Sequence, residues 1–216
     1  MKPRLLALAA LPTNGPGVRI GRGRKPEPLQ EVAGPIGGIS ATALGLDARP
    51  VRAILLGKTS EHNWALGWHQ NSTIVVREGV GEDGFGPWTL KSGLLQVELP
   101  FDTLARMLIL RVRLDRVDTN NTPLRIVPSS HGPGRLSEAE VQRAVTISSE
   151  RLCRAERGDV WLYGTPIVHA WLAARSAGWG WKAMFPTTPP SRRTATAASA
   201  TAICYAGCSK RRSSAA

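Results

Sequence analysis

The clearest periodicity in the chain lies at MLILRVRLDRVD, residues 107–118. After an apolar start, Leu110, Val112 and Leu114 fall on one side and Arg111, Arg113 and Asp115 on the other, the two-residue alternation of a strand. VRAILLGKT (51–59), STIVVRE (72–78), LLQVELP (94–100), LRIVPSS (124–130) and VWLYG (160–164) read as further short strands, in which β-branched and aromatic residues are bounded by Gly, Pro, Asn or Ser. DTNNT (118–122) and Gly158 with Asp159 supply turns. In LSEAEVQRAVTISSERL (136–152), Ser137 with Glu140 three residues on makes a capping box and predicts a short helix. The Gly-rich insertion GVGEDGFGPWTLKSG (79–93) carries Trp88 and Lys91 and is expected as a loop, either a lid over a cleft or a surface loop with one anchoring aromatic. Short strands with one helix and long loops predict a mainly β fold, a barrel or jelly roll, and not a doubly wound sheet with helices between its strands.

Both ends lack this texture. Residues 12–35 are rich in Gly, Pro and Arg and are expected as a loop or linker with little to bury. Their glycines follow no apolar strand and lack a Lys-Ser/Thr ending, which excludes both a dinucleotide fingerprint and a phosphate loop. After Arg175 the alternation fails, and the segment from Pro186 onward is dominated by Ala, Ser, Thr and Arg. Such a composition offers no large apolar face, so 186–216 is expected to be disordered or weakly helical. The expected organisation is an N-terminal extension over 1–35, a β domain over 36–185 and a basic tail over 186–216.

Composition narrows the function classes. A length of 216 residues with 42% hydrophobic and 20% charged residues suits one globular domain and excludes a wholly disordered chain. The net charge of +12 invites a nucleic-acid reading. However, Lys2, Arg4, Arg19, Arg22, Arg24 and Lys25 face only Glu27 at the start, and Arg192, Arg193, Lys210, Arg211 and Arg212 face no acid at the end. The basicity belongs to the tails, which argues against a folded nucleic-acid groove. The three cysteines are too few and too unevenly placed for a disulfide framework, and Cys204 with Cys208 has neither a second pair nor a local histidine to complete a metal site. Leu5 to Leu11 is short for a secretory signal, and LPTNGPG lacks a small-residue cleavage site. No run approaches a membrane span. Cytoplasmic location is the resulting expectation.

The candidate chemistry lies in four histidines, His62, His69, His131 and His169. His69 precedes Asn71 by two residues just before a strand, so on extended chain both side chains share one face. His169 ends the strand-like segment VWLYGTPIVH. A histidine, an oxygen donor two residues on and a distant histidine is the order of a two-histidine, one-carboxylate iron site, with an amide at the carboxylate position. Three ligands on one face of octahedral iron leave positions open for a co-substrate and dioxygen.

NWALGWHQNSTIVVRE, GFGPWTLKSG, LILRVRLDRVDTNNTPLRIVPSSHGPGRLS and GDVWLYGTPIVHA, in this order over roughly residues 50–175, closely resemble the phytanoyl-CoA dioxygenase family. The resemblance implies a double-stranded β-helix (jelly roll, cupin-like) using Fe(II) and 2-oxoglutarate, and a small-molecule substrate hydroxylated with dioxygen. It places the metal ligands, and with them the catalytic positions, at His69, Asn71 and His169, and puts His131 near the site rim. Gln70, Arg175 and Lys182 become the candidates for cofactor binding.

Two departures from the family pattern matter. Asn71 stands where the family has aspartate, which removes a negative ligand. The family's carboxylate-binding arginine, which follows the last metal histidine and adjoins a further strand, has no counterpart in that context: Arg175 comes early, Lys182 late, and the strand is not apparent. The barrel is therefore expected to be incomplete at its C-terminus. Two functional readings follow, an active dioxygenase and a catalytically impaired relative that retains the fold; a nucleic-acid-associated protein using its basic ends is a third.

Overall fold

The computed structural model describes residues 17–20, 34–58, 65–76, 78–79, 81–91, 93–119, 123–171 and 198–206. In chain order the elements are β1 (Gly17–Ile20), α1 (Pro35–Leu44), β2 (Arg49–Lys58), β3 (Leu66–His69), β4 (Thr73–Val75), β5 (Trp88–Lys91), β6 (Leu94–Glu98) and α2 (Phe101–Ala105). They continue with β7 (Met107–Arg113), β8 (Leu124–Ile126), α3 (Glu138–Ile147), β9 (Arg151–Cys153), β10 (Val160–Gly164), β11 (His169–Trp171) and β12 (Ala198–Ala206).

Two antiparallel sheets carry the architecture, one in the order β1-β2-β12-β7-β10 and the other β3-β11-β8-β9. The chain alternates between them: β2 lies in the first, β3 in the second, β7 in the first, β8 and β9 in the second, then β10, β11 and β12 cross in turn. That winding is a double-stranded β-helix, as the sequence resemblance implied. A smaller sheet, β4-β6-β5, is inserted between β3 and β7.

β7 shows how the sequence specifies this arrangement. Leu110, Val112 and Leu114 cluster with Ile36 of α1 and Leu55 of β2, so one face of the strand is closed by a helix. α1 can form there because Pro35 enters at the first helical position, where its fixed φ suits the helix and its missing N–H is not needed. The other face of β7 looks into the barrel. Ile109 packs there with Leu124, Ile126, Cys153, Tyr163 and Ile167, residues drawn from both sheets. Both faces of β7 are thus buried, and the polar side of its alternation is not a solvent side.

The helix expected after Leu136 is present with its capping box. Ser137 N donates to Glu140 Oε2 (2.8 Å) and Ser137 Oγ accepts from Glu140 N (3.4 Å). Val141 of this helix is buried against Val127 and Val168, which braces the approach to β11.

Three expectations need correction. Residues 17–20, placed in a linker, form β1 and pair in register with Ala53–Leu56 of β2; Val18 and Ile20 give this glycine-rich stretch enough β character to add an edge strand. Residues 88–91, placed in a loop, pair with β6 as a hairpin. Residues 198–206, placed in a disordered tail, form β12 between β2 and β7, paired along both edges. The lack of large aliphatics misled here, because a strand between two others is held by backbone hydrogen bonds whatever its side chains. Among the described residues no helix is long and apolar enough to cross a membrane.

Candidate active site

β3 and β11 pair so that His69 and His169 are direct cross-strand partners. Their ring centres lie 4.3 Å apart. In each histidine Nδ1 meets the backbone carbonyl two residues earlier, at 2.7 Å from Gly67 O and 2.9 Å from Ile167 O. The carbonyls accept only if each Nδ1 carries the proton, which leaves both Nε2 lone pairs for a ligand. Metal-binding histidines are oriented in this way by their other ring nitrogen. His169 is 2% exposed, and burial, followed by the charge of His69, pushes its pKa down to about 3. It is therefore neutral near pH 7, the form in which imidazole binds metal. The pair fits a divalent transition metal by tautomer and position, and His169 also by its neutral state.

Asn71 follows two residues after His69, half-buried, and lines a cleft of about 360 Å³ with His69, Trp68, Phe101, Leu136 and Val141. Apolar Trp68, Phe101, Leu136 and Val141 line the cleft together with polar His69, Gln70, Asn71, Arg135 and Glu138, and its volume is within the range of small-molecule sites. Among the described residues no cluster of three His, Cys, Asp or Glu side chains could hold a metal. The third donor in the expected order is an amide.

The Gln70 side chain is committed to the protein. Its Nε2 donates to Gly134 O (3.2 Å) and Pro166 O (2.8 Å), and its Oε1 accepts from Leu136 N (2.9 Å). Both amide hydrogens are used, so Gln70 braces the cleft that it lines. It ties the exit of β3 to the loop after β8 and to the approach to β11. Ser130 works similarly from the PSSH turn: its Oγ donates to Val127 O (2.7 Å) and accepts from Val168 N (2.8 Å), one residue before His169. His131 is exposed, its ring 3.7 Å from where a Cβ on Gly164 would lie. Arg175 and Lys182 lie outside the described residues, as does His62.

The barrel interior holds a feature the sequence reading passed over. Arg111 and Arg113 point inward from β7 and are 4% and 3% exposed. The Arg111 guanidinium lies 4.6 Å from the centre of the Trp171 ring, and that ring is 6.1 Å from His169. Burial, then the charge of Arg111, pushes the Arg113 pKa down to about 10. The signal was present in the sequence as two arginines at i and i+2, but it was indistinguishable from a solvated strand face until the second sheet was seen to cover it.

No family model and no curated protein matches the chain. Solved structures do. The chain is similar to EctD from S. alaskensis, crystallised with 2-oxoglutarate and 5-hydroxyectoine, at 13% identity and a TM-score of 0.59, over 95% of this chain and 66% of that one. It is similar to HygX from Streptomyces hygroscopicus with iron bound, at 14% identity and a TM-score of 0.53, over 95% of this chain and 78% of that one. EvdMO1 matches at 16% identity and a TM-score of 0.53, over 88% of this chain. The chain spans 35% of the length of EvdMO1 and about two thirds of EctD. At these identities the likeness is one of fold, the double-stranded β-helix.

Proposed function

We propose that the protein is an Fe(II)- and 2-oxoglutarate-dependent dioxygenase of the phytanoyl-CoA dioxygenase type, hydroxylating a small organic molecule. The observation that carries this reading is the in-register His69–His169 pair, its ring centres 4.3 Å apart and both Nδ1 atoms held by backbone carbonyls, which leaves both Nε2 lone pairs for a ligand. The motif resemblance and the fold shared with iron- and 2-oxoglutarate-binding structures support it.

In the proposed reaction, 2-oxoglutarate and dioxygen yield succinate and carbon dioxide, and one oxygen atom enters a C–H bond of the substrate. Iron would be held by His69 and His169, with Asn71 or water as a third donor, and would supply the dioxygen chemistry. The chain's own part is positioning. Gln70 and Ser130 fix the strands that carry the two imidazoles. The apolar walls of the cleft at Trp68, Phe101 and Val141 receive the substrate and keep bulk water from the reacting carbon. The neutral donor set leaves the ferrous charge less compensated than a carboxylate would.

Asn71 favours a second reading, a relative that retains the fold and the cleft but does not turn over. Succinate formation from 2-oxoglutarate separates the two. Fe(II)-dependent release that vanishes in His169→Ala supports the enzyme; a folded, iron-binding protein with no release across a broad substrate panel supports the impaired relative.

A further inference from the structure

Two guanidinium groups, Arg111 and Arg113, lie inside the barrel, and among the described residues neither has an ion-pair partner. Arg111 Nε and Arg113 Nε and Nη2 are buried without a hydrogen-bond partner. The carboxylates of Glu98, Glu150 and Glu156 are each committed to another arginine, Arg135, Arg125 and Arg116 respectively. Taking even one cation out of water costs on the order of several kcal/mol unless a partner compensates. Neither side chain can escape to solvent, since β7 runs between β10 and β12 and its far face is closed by α1. Across the β7–β12 register Arg111 and Arg113 are opposed by Ala202 and Ala200, so the neighbouring strand brings neither an acid nor a competing cation to those positions. Arg113 keeps its charge near pH 7 even with its pKa pushed down to about 10.

What surrounds these groups indicates what would satisfy them. A guanidinium presents a planar fork of donors that matches a carboxylate in two parallel hydrogen bonds. Arg111 is oriented by its stacking on Trp171, and the same Trp171 ring neighbours His169. The fork therefore lies within a short molecule's length of the histidine pair.

We propose that Arg111 and Arg113 form a carboxylate-binding site inside the barrel that takes a short dicarboxylate, one end on the two guanidinium groups and the other reaching toward His69 and His169. Naming that ligand as the 2-oxo acid co-substrate rests on the oxygenase reading; the anion site itself does not. The site supplies from β7 the cationic anchor that neither Arg175 nor Lys182 offers in a recognisable context.

The test is dicarboxylate binding to the metal-free, full-length protein, with succinate and 2-oxoglutarate as probes, followed by calorimetry and by the shift in Tm. Wild type should bind both, and 2-oxobutyrate, which lacks the second carboxylate, at least tenfold more weakly. Arg111→Met and Arg113→Met should each lose at least tenfold in succinate affinity, with Arg111→Lys intermediate. Unchanged affinity in both Met variants, or no dicarboxylate binding by wild type, overturns the site. Should a Met variant fail to fold, Arg111→Lys decides: full wild-type affinity there overturns the fork contact, and a loss upholds it. Wild type that binds succinate but not Fe(II) would sink the oxygenase reading while leaving the arginine site intact, and the opposite pattern would do the reverse.

Discussion

His69 and His169 stand directly opposite each other across the β3–β11 pair, 100 positions apart in the chain and 4.3 Å apart between ring centres. The same backbone register that joins the strands therefore sets how closely the two imidazoles approach. Replacing either imidazole by alanine should abolish tight Fe(II) binding, since one histidine and an amide are too few protein ligands. The two variants should differ in stability. His169 is buried and His69 half-buried, so His169→Ala should also cost about 1–3 kcal/mol, while His69→Ala should unfold close to wild type. Anaerobic Fe(II) titration paired with urea unfolding checks both parts; tight iron binding by His69→Ala would remove that residue from the site.

The sequence carried much of this. Alternation located β7, the capping box located α3, and the spacing of His69, Asn71 and His169 anticipated a pair that the fold does bring together. What stayed hidden depends on long-range packing. β12 could not be read from 198–206, because its strand character comes from being sandwiched between β2 and β7. Arg111 and Arg113 looked like a wet face because strand periodicity reports two sides without saying what covers them. The bracing role of Gln70 stayed hidden because nothing local reveals that Gly134, Leu136 and Pro166 converge on its amide.

Gln70 is a brace and should behave as one. Gln70→Leu leaves Leu136 N, Gly134 O and Pro166 O without their side-chain partner. A stability loss of about 2–3 kcal/mol is expected from the stranded groups. Iron affinity should fall as well, because the brace aligns the β3 and β11 approaches. Gln70→Glu keeps the acceptor for Leu136 N but loses donors, and should fall between wild type and Leu. A Leu variant with wild-type stability would mean the three hydrogen bonds do not persist in solution.

At the start of α3, Ser137→Ala removes the hydroxyl half of the capping box. About 1 kcal/mol of stability should be lost. Hydrogen exchange should show the change first at the amide of Glu140, which Ser137 Oγ accepts from. A uniform loss of protection across β7 and β10 instead would indicate that the cap acts on the whole fold.

Cys153 is 0% exposed, and burial pushes its thiol up to about 11. Alkylation at pH 8 should therefore be slow in the folded protein and fast in urea, read by mass spectrometry of the Cys153 peptide so that Cys204 and Cys208 do not interfere. The pH dependence follows in sign. The folded state favours the protonated thiol, so its contribution to stability is fully present below pH 9 and is lost as pH rises toward 11. Cys153→Ala should flatten that alkaline loss; an unchanged alkaline slope would assign it to other groups.

The proposed activity turns on Asn71. It follows His69 by two positions and lines the same cleft, in the place where a carboxylate would give iron a negative oxygen. An amide oxygen coordinates through a dipole alone, so a dication held at the proposed site would meet two imidazoles and no anionic charge. Asn71→Asp changes shape very little and adds one negative charge, so Fe(II) affinity should rise at least tenfold, while Asn71→Ala should lie at or below wild type. Two buried arginines already place positive charge in the same barrel, and this should strengthen the benefit of the added anion. Anaerobic titration with Fe(II), repeated with Mn(II) to avoid oxidation, gives the affinities of all three proteins directly. Equal affinities in folded Asp, Ala and wild-type proteins would show that residue 71 does not reach the metal. A gain in iron binding without succinate release would locate the remaining defect in the binding of 2-oxoglutarate, where the Arg111 and Arg113 variants can be tested in the Asn71→Asp background.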